Sequence, residues 1–145
     1  MRRRADADEV VPGLWVGGVP DRAAVRRLLR SGIDGVVDVR AEADPEAHPW
    51  PAGVEVRHVP LVDHGTPTVA ALRAAAQAVV DLVRDGRKVL VHCHAGQQRA
   101  PTVATAALVL MGWTLGDAYA AVSRARPQAL PTDGQLIALR GLAQG

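Results

Sequence analysis

A chain of 145 residues, 48% of them apolar and 22% charged, has the length of one globular domain and a composition that excludes a disordered, fibrous or collagen-like chain. Its net charge of +2 is spread over interleaved acids and bases, so the basic stripe of a nucleic-acid binder is missing, and no apolar run is long enough to span a bilayer. The single cysteine leaves neither an intramolecular disulfide nor a Cys-cluster zinc site and points to a cytoplasmic protein.

The opening Met-Arg-Arg-Arg is followed by acidic residues and no apolar stretch, so export is not expected. Residues 1–9 read as a mobile tail and 10–145 as one domain. Sixteen of the seventeen basic residues are Arg and Phe is absent, the bias of a GC-rich, bacterial genome. Val10 to Val16, broken by Pro12-Gly13, reads as a short strand or strand pair. Asp21 to Arg30 places Val25, Leu28 and Leu29 on one face of a helix that Ser31-Gly32 ends. Ile33 to Val39 fits a buried strand, and the prolines at 45, 49 and 51 make Ala41 to Gly53 a loop. Val54, Val56 and His58 alternate with Glu55 and Arg57 as in a half-buried strand, and Pro60 to Pro67 reads as a loop.

Thr68 caps a helix that runs to Asp85-Gly86, and Lys88 to His92 is a strand. After Cys93 to Arg99 a helix starts near Pro101 and ends at Gly112. Thr114 and Thr132 cap two more. Strands alternating with helices predict an α/β domain with a central, mostly parallel sheet of four to five strands flanked by helices, and its ligands belong at the carboxyl ends of the strands.

The segment from Val89 to Arg99 is a strand, a short loop and a helix start. Successive N–H groups in such a loop form a nest for an anion, the helix N-terminus adds positive character, and Gly96 allows the turn. A thiol in that field is driven toward thiolate. Arg99 offers a planar fork for two phosphoryl oxygens. The phosphate-binding loop is therefore His94, Ala95, Gly96, Gln97, Gln98 and Arg99 around Cys93, with His92 either ordering the loop or moving protons. His48, His58 and His64 lack metal-ligand spacing, so neither metal nor cofactor is expected. Arg40 either lines the pocket or pairs with Glu42.

His92-Cys93-x5-Arg99 resembles the signature loop of the protein tyrosine phosphatase superfamily. The stretch from about Val10 to Leu142 is similar to its dual-specificity branch: Val11 to Gly17 resembles the branch's opening motif, Val37-Asp38-Val39-Arg40 its early core strand, and Arg126-Pro127 with Pro131 to Gln135 the segment after the loop helix. The resemblance implies Cys93 as nucleophile, Arg99 as phosphate clamp and Asp63, thirty residues before Cys93, as general acid. It implies hydrolysis of phosphate monoesters, in phosphorylated proteins or small molecules, through a cysteinyl phosphate. Two departures stand out. Ala100 replaces the Ser or Thr that usually follows the Arg, with Thr102 the nearest other hydroxyl, and the loop carries no Lys, which argues against a highly charged lipid headgroup. A rhodanese-like sulfurtransferase and a phospho-binding module with slow turnover are the competing readings.

Overall fold

Period-two alternation decides which face each strand residue covers. In the computed structural model, which describes residues 5–44, 46–62 and 65–145, Val37, Val39, Val89 and Val91 pack on one side of the sheet, while Val36 and Leu90 pack on the other. Both faces are covered, so the inner strands read as continuous apolar runs.

Among the described residues the five strands are β1 (Ala7–Val11), β2 (Leu14–Gly17), β3 (Gly35–Arg40), β4 (Glu55–Leu61) and β5 (Val89–His92), and they lie in the order β1-β2-β5-β3-β4. Only β1 and β2 pair antiparallel; β2 with β5, β5 with β3, and β3 with β4 are parallel. This is the mostly parallel sheet expected from the alternation of elements. The five helices of the described residues are α1 (Arg22–Arg30), α2 (Val69–Arg84), α3 (Arg99–Leu110), α4 (Leu115–Ala125) and α5 (Asp133–Gln144).

Helix α1 carries the chain from β2 to β3 over one face, packing Val25 and Leu28 with Ile33, Val36, Trp50 and Leu90. Helix α2 carries it from β4 to β5 over the opposite face, and α3, α4 and α5 share that side. Strand β5 arrives last and fills the gap between β2 and β3, so its carboxyl end lies at the centre of the sheet, where open α/β folds place their ligands.

Two boundaries differ from expectation. Strand β1 starts at Ala7, inside the stretch expected to be tail, with Ala7, Asp8 and Glu9 opposite Gly17, Val16 and Trp15. Strand β4 continues through Pro60 to Leu61, past the expected break. Pro60 is tolerated because β4 is an edge strand, where a missing N–H costs no ladder bond on the open side.

Asp21, Thr68, Thr114 and Thr132 each accept an N–H from the first turn of α1, α2, α4 and α5, the last within a capping box. Helix α3 starts with no side-chain cap, so the N–H groups of its first turn are left to the loop before it and to whatever binds there. Among the described residues no helix is long and apolar enough to cross a membrane.

Leu72 of α2 is completely buried in the larger core cluster. Leu72→Ala is expected to destabilise the domain by about 2–5 kcal/mol, read as a lower urea midpoint at unchanged slope.

Candidate active site

Between the end of β5 and the start of α3, six successive carbonyls turn outward and each meets a donor. His92 Nδ1 lies 3.2 Å from Cys93 O, where an Nδ1 proton makes the bond. Val19 N–H donates to His94 O at 2.9 Å. Arg126 donates through Nη2 to Ala95 O at 3.1 Å and through Nε to Gly96 O at 2.6 Å. Leu130 N–H reaches Gln97 O at 2.6 Å, and Thr102 gives both its N–H, at 3.1 Å, and its hydroxyl, at 2.6 Å, to Gln98 O.

Carbonyl and N–H point opposite ways across a trans peptide, so the N–H groups behind these carbonyls face inward. Gly96 N–H donates to Cys93 Sγ at 3.2 Å. Among the described residues no acceptor meets the N–H groups of His94, Ala95, Gln97 and Gln98. The hollow they surround, about 180 Å³, is lined by Cys93, His94, Ala95, Gln97, Gln98 and Arg99, and Cys93 at its base is only 3% exposed. Such a ring of inward donors ahead of an uncapped helix is an anion site.

Glycine permits the close approach behind the loop. A Cβ on Gly96, whose φ is +68°, would stand about 2.5 Å from both Arg126 Nη2 and the Gly17 carbonyl carbon. Gly18 is as tight, 2.9 Å from His94 O.

The guanidinium of Arg99 is 2% exposed and forms a two-pronged pair with Glu42, Nη1–Oε1 at 2.7 Å and Nη2–Oε2 at 3.0 Å, with Leu61 O at 3.4 Å from Nη1. Hydrogen bonding from Arg99 holds the Glu42 carboxyl at about 2, against an ordinary 4.5. Arg40, left open between the pocket and Glu42, meets Asp38 with its Nε and Nη2 at 3.0 and 2.8 Å, and Glu42 acts on it through its charge. Burial works against the charge of Asp38, but the Arg40 hydrogen bonds and nearby His92 outweigh it and hold this carboxyl below its ordinary value.

The loop residues singled out in the sequence therefore come together around one hollow, with Gly96 behind it. Asp63, the expected general acid, and His64 lie outside the described residues. Thr102, considered as a substitute for the missing hydroxyl at position 100, directs its own to Gln98 O and to Gln135 Oε1 at 3.1 Å. Sequence reasoning singled out Arg126 only as part of the segment after the loop helix, with no role at the site, and did not find Asp6 and Asp8. The only signal for the acids was their spacing of two, which puts both on one face of a strand. Among the described residues no cluster of His, Cys, Asp and Glu is built to hold a metal.

A thiol at the base of an anion-binding loop, at the carboxyl end of a central parallel strand, defines a cysteine-centred phosphate-handling domain. The chain belongs to the dual specificity phosphatase catalytic-domain family, whose model matches residues 14–144. It is 32% identical over 130 residues to the Rattus norvegicus dual specificity protein phosphatase 12, covering 88% of this chain and 38% of that protein. To the rat dual specificity protein phosphatase 26 it is 34% identical over 152 residues, covering 96% of this chain and 70% of that protein. The crystal structure of human DUSP28 matches with a TM-score of 0.82 at 30% identity, over 96% of this chain and 93% of that one. The chain thus spans about two fifths of the length of the dual specificity protein phosphatase 12 relatives. These relatives are phosphatases and not sulfurtransferases.

Burial pushes the His92 imidazole below its ordinary 6.5, against the pull of Asp38. The folded state then binds this proton less readily than the unfolded chain, so stability is full above about pH 6.5 and declines as the pH falls below it. The Glu42–Arg99 pair acts lower: its contribution is present above the ordinary 4.5 and lost as the pH falls toward 2, and with Glu42 half exposed it is worth at most about 1 kcal/mol. The urea midpoint is expected to fall between about pH 7 and pH 5, and His92→Gln is expected to flatten that part of the profile. An equal fall in the variant would assign it to other groups.

Proposed function

We propose that this chain hydrolyses phosphate monoesters, phosphotyrosine in proteins foremost and phosphoserine and phosphothreonine besides, through a cysteinyl-phosphate intermediate. The observation that carries the reading is Cys93 Sγ at the base of a ring of inward N–H groups, with the buried guanidinium of Arg99 on the same hollow. The Cys93 thiolate attacks phosphorus, forming an S–P bond as the bond to the leaving oxygen breaks, and Asp63 gives that oxygen its proton. Water then attacks phosphorus and passes a proton to Asp63. The S–P bond breaks, releasing inorganic phosphate and restoring the thiolate. Arg99 and the loop N–H groups hold the three equatorial oxygens throughout.

One feature of the hollow supports a substrate with a single phosphoryl group. Among the described residues, those lining it bring a single Arg and no Lys, which fits one phosphoryl group better than a multiply charged headgroup. The lone unpaired cysteine supports a cytoplasmic site of action, and the arginine-rich composition supports a bacterial source.

The decisive experiment measures steady-state rates of wild type, Cys93→Ser and Asp63→Asn on phosphotyrosine and phosphoserine peptides, a phosphoinositide and an activated aryl phosphate. Cys93→Ser is expected to bind inorganic phosphate without turnover. Asp63→Asn is expected to lose about 10²- to 10⁴-fold on the peptides and much less on the aryl phosphate, whose leaving group needs little protonation. Turnover by Cys93→Ser would remove the nucleophile assignment, and equal losses across leaving groups would move the acid elsewhere.

Ala100 is fully buried in the same core cluster as Cys93, and the Thr102 hydroxyl is directed elsewhere. A hydroxyl at position 100 would stabilise the departing thiolate by about 1.5–3 kcal/mol, roughly ten- to a hundredfold in rate. Wild type is therefore expected to release a burst of product near one equivalent before a slower steady state, with Ala100→Ser shrinking the burst and raising kcat. No burst in wild type, with an unchanged kcat in the variant, would show that breakdown of the intermediate is not slowed.

A further inference from the structure

Arg126, at the carboxyl end of α4, is as buried as any apolar core residue, at 1% exposure. Its guanidinium makes four hydrogen bonds in two opposite directions. Toward the phosphate loop it donates to Ala95 O at 3.1 Å and Gly96 O at 2.6 Å, and toward β1 it donates to Asp6 Oδ1 and Asp8 Oδ2, both at 2.9 Å. The two aspartates are largely in solvent, at 62% and 41% exposure. A buried cation this far from the hydrophobic core's needs is costly unless its geometry serves something.

We propose that Arg126 is a positioning residue of the phosphate loop, which fixes and polarises the two peptide groups that present N–H donors to the Cys93 sulfur and to bound phosphate. The Ala95–Gly96 peptide receives the guanidinium on its carbonyl and gives its N–H to Cys93 Sγ at 3.2 Å. The Gly96–Gln97 peptide receives Nε on its carbonyl, and its N–H, opposite across a trans peptide, faces the hollow. A charged donor on a carbonyl strengthens the hydrogen bond that the same peptide's N–H makes. Asp6 and Asp8 hold the far edge of the guanidinium so that its near edge spans both carbonyls at once. Arg126 touches neither sulfur nor substrate and acts only through these two peptides. Gly96 completes the arrangement, since any Cβ there would collide with Arg126 Nη2.

This rests on the reading of Cys93 as the reactive thiol of a phosphate site, but its test does not need turnover. Because Cys93 is the only cysteine, alkylation by iodoacetamide reports on the reactivity of one sulfur. Protection from alkylation by inorganic phosphate reports on the anion site. Full-length Arg126→Met is expected to slow alkylation and weaken phosphate protection by about tenfold or more, the scale of one charge-assisted hydrogen bond. Arg126→Lys keeps the charge but lacks a fork that spans two carbonyls, and is expected to fall between wild type and Arg126→Met in both readouts.

Thermal melting separates this from a purely structural role, in which the melting temperature falls while the properties of the folded fraction stay at wild-type values. Folded variants within twofold of wild type in both readouts would overturn the proposal. So would failure of both variants to fold, because Arg126 would then belong to the fold and not to the loop. A wild type that alkylates normally but gains no protection from phosphate would count against the phosphatase reading instead, and the alkylation comparison would still judge Arg126.

Discussion

The outward turn of six successive carbonyls, from Cys93 to Gln98, is the constraint on which the rest of the site depends. A loop of this length left to itself would satisfy its carbonyls and N–H groups with water in no fixed direction. Here each carbonyl has a donor behind it: an imidazole, the N–H of Val19, the guanidinium of Arg126, the N–H of Leu130 and both donors of Thr102. These donors come from β5, from the turn after β2, from the end of α4, from the segment before α5 and from α3. The inward N–H array is thus a product of the whole tertiary structure, held by protein groups alone, as electrostatic stabilisation of a phosphoryl group requires.

The topology explains why those donors meet at one point. Strand β5 comes last in the chain and lies between β2 and β3, so its end is flanked by the carboxyl ends of both. Gly18 at the exit of β2 and Gly96 in the loop let the loop lie directly against that exit, with no side chain between them. On the other side α3 is buried along its first ten residues, and its small residues let α2, α4 and α5 close around it. The absence of a side-chain cap on α3, where the other four helices have one, is the local counterpart of this design. A Ser or Asp at position 98 would satisfy the helix and compete with the anion.

What could be read from residues alone follows the range of the interactions concerned. His92, Cys93, Gly96 and Arg99 are contiguous, and a loop between a strand and a helix has few conformations, so the hollow was legible as a unit. The alternation of valines in β3 and β5 likewise announced a sheet covered on both faces. The start of strand β1 was not legible, because what ties it down is polar and distant: Asp6 and Asp8 meet a guanidinium 120 and 118 positions away. The same holds for Glu42 and Arg99, 57 apart. Nothing local distinguishes those acids from a solvated surface pair. Pro60 misled in the other direction, since proline breaks a central strand and is harmless on the edge, and edge position is a property of the sheet order.

The two buried arginines share an electrostatic logic. Arg99 and Arg126 are each about 98–99% removed from solvent, yet their partners Glu42, Asp6 and Asp8 keep 52%, 62% and 41% of their side-chain surface in water. An ion pair with one member in solvent is screened and weak, and water stabilises the carboxylate in competition with the guanidinium. The positive charge is therefore offset only in part, while each guanidinium keeps its geometry through two-pronged or fourfold hydrogen bonding. Fully buried counter-ions would neutralise the field at the loop; no counter-ions at all would leave two cations that the interior could not hold. Placing the acids at the surface keeps both arginines in position and leaves their field directed inward, onto the sulfur and the hollow above it, where the proposed reaction brings a dianionic phosphoryl group against that sulfur.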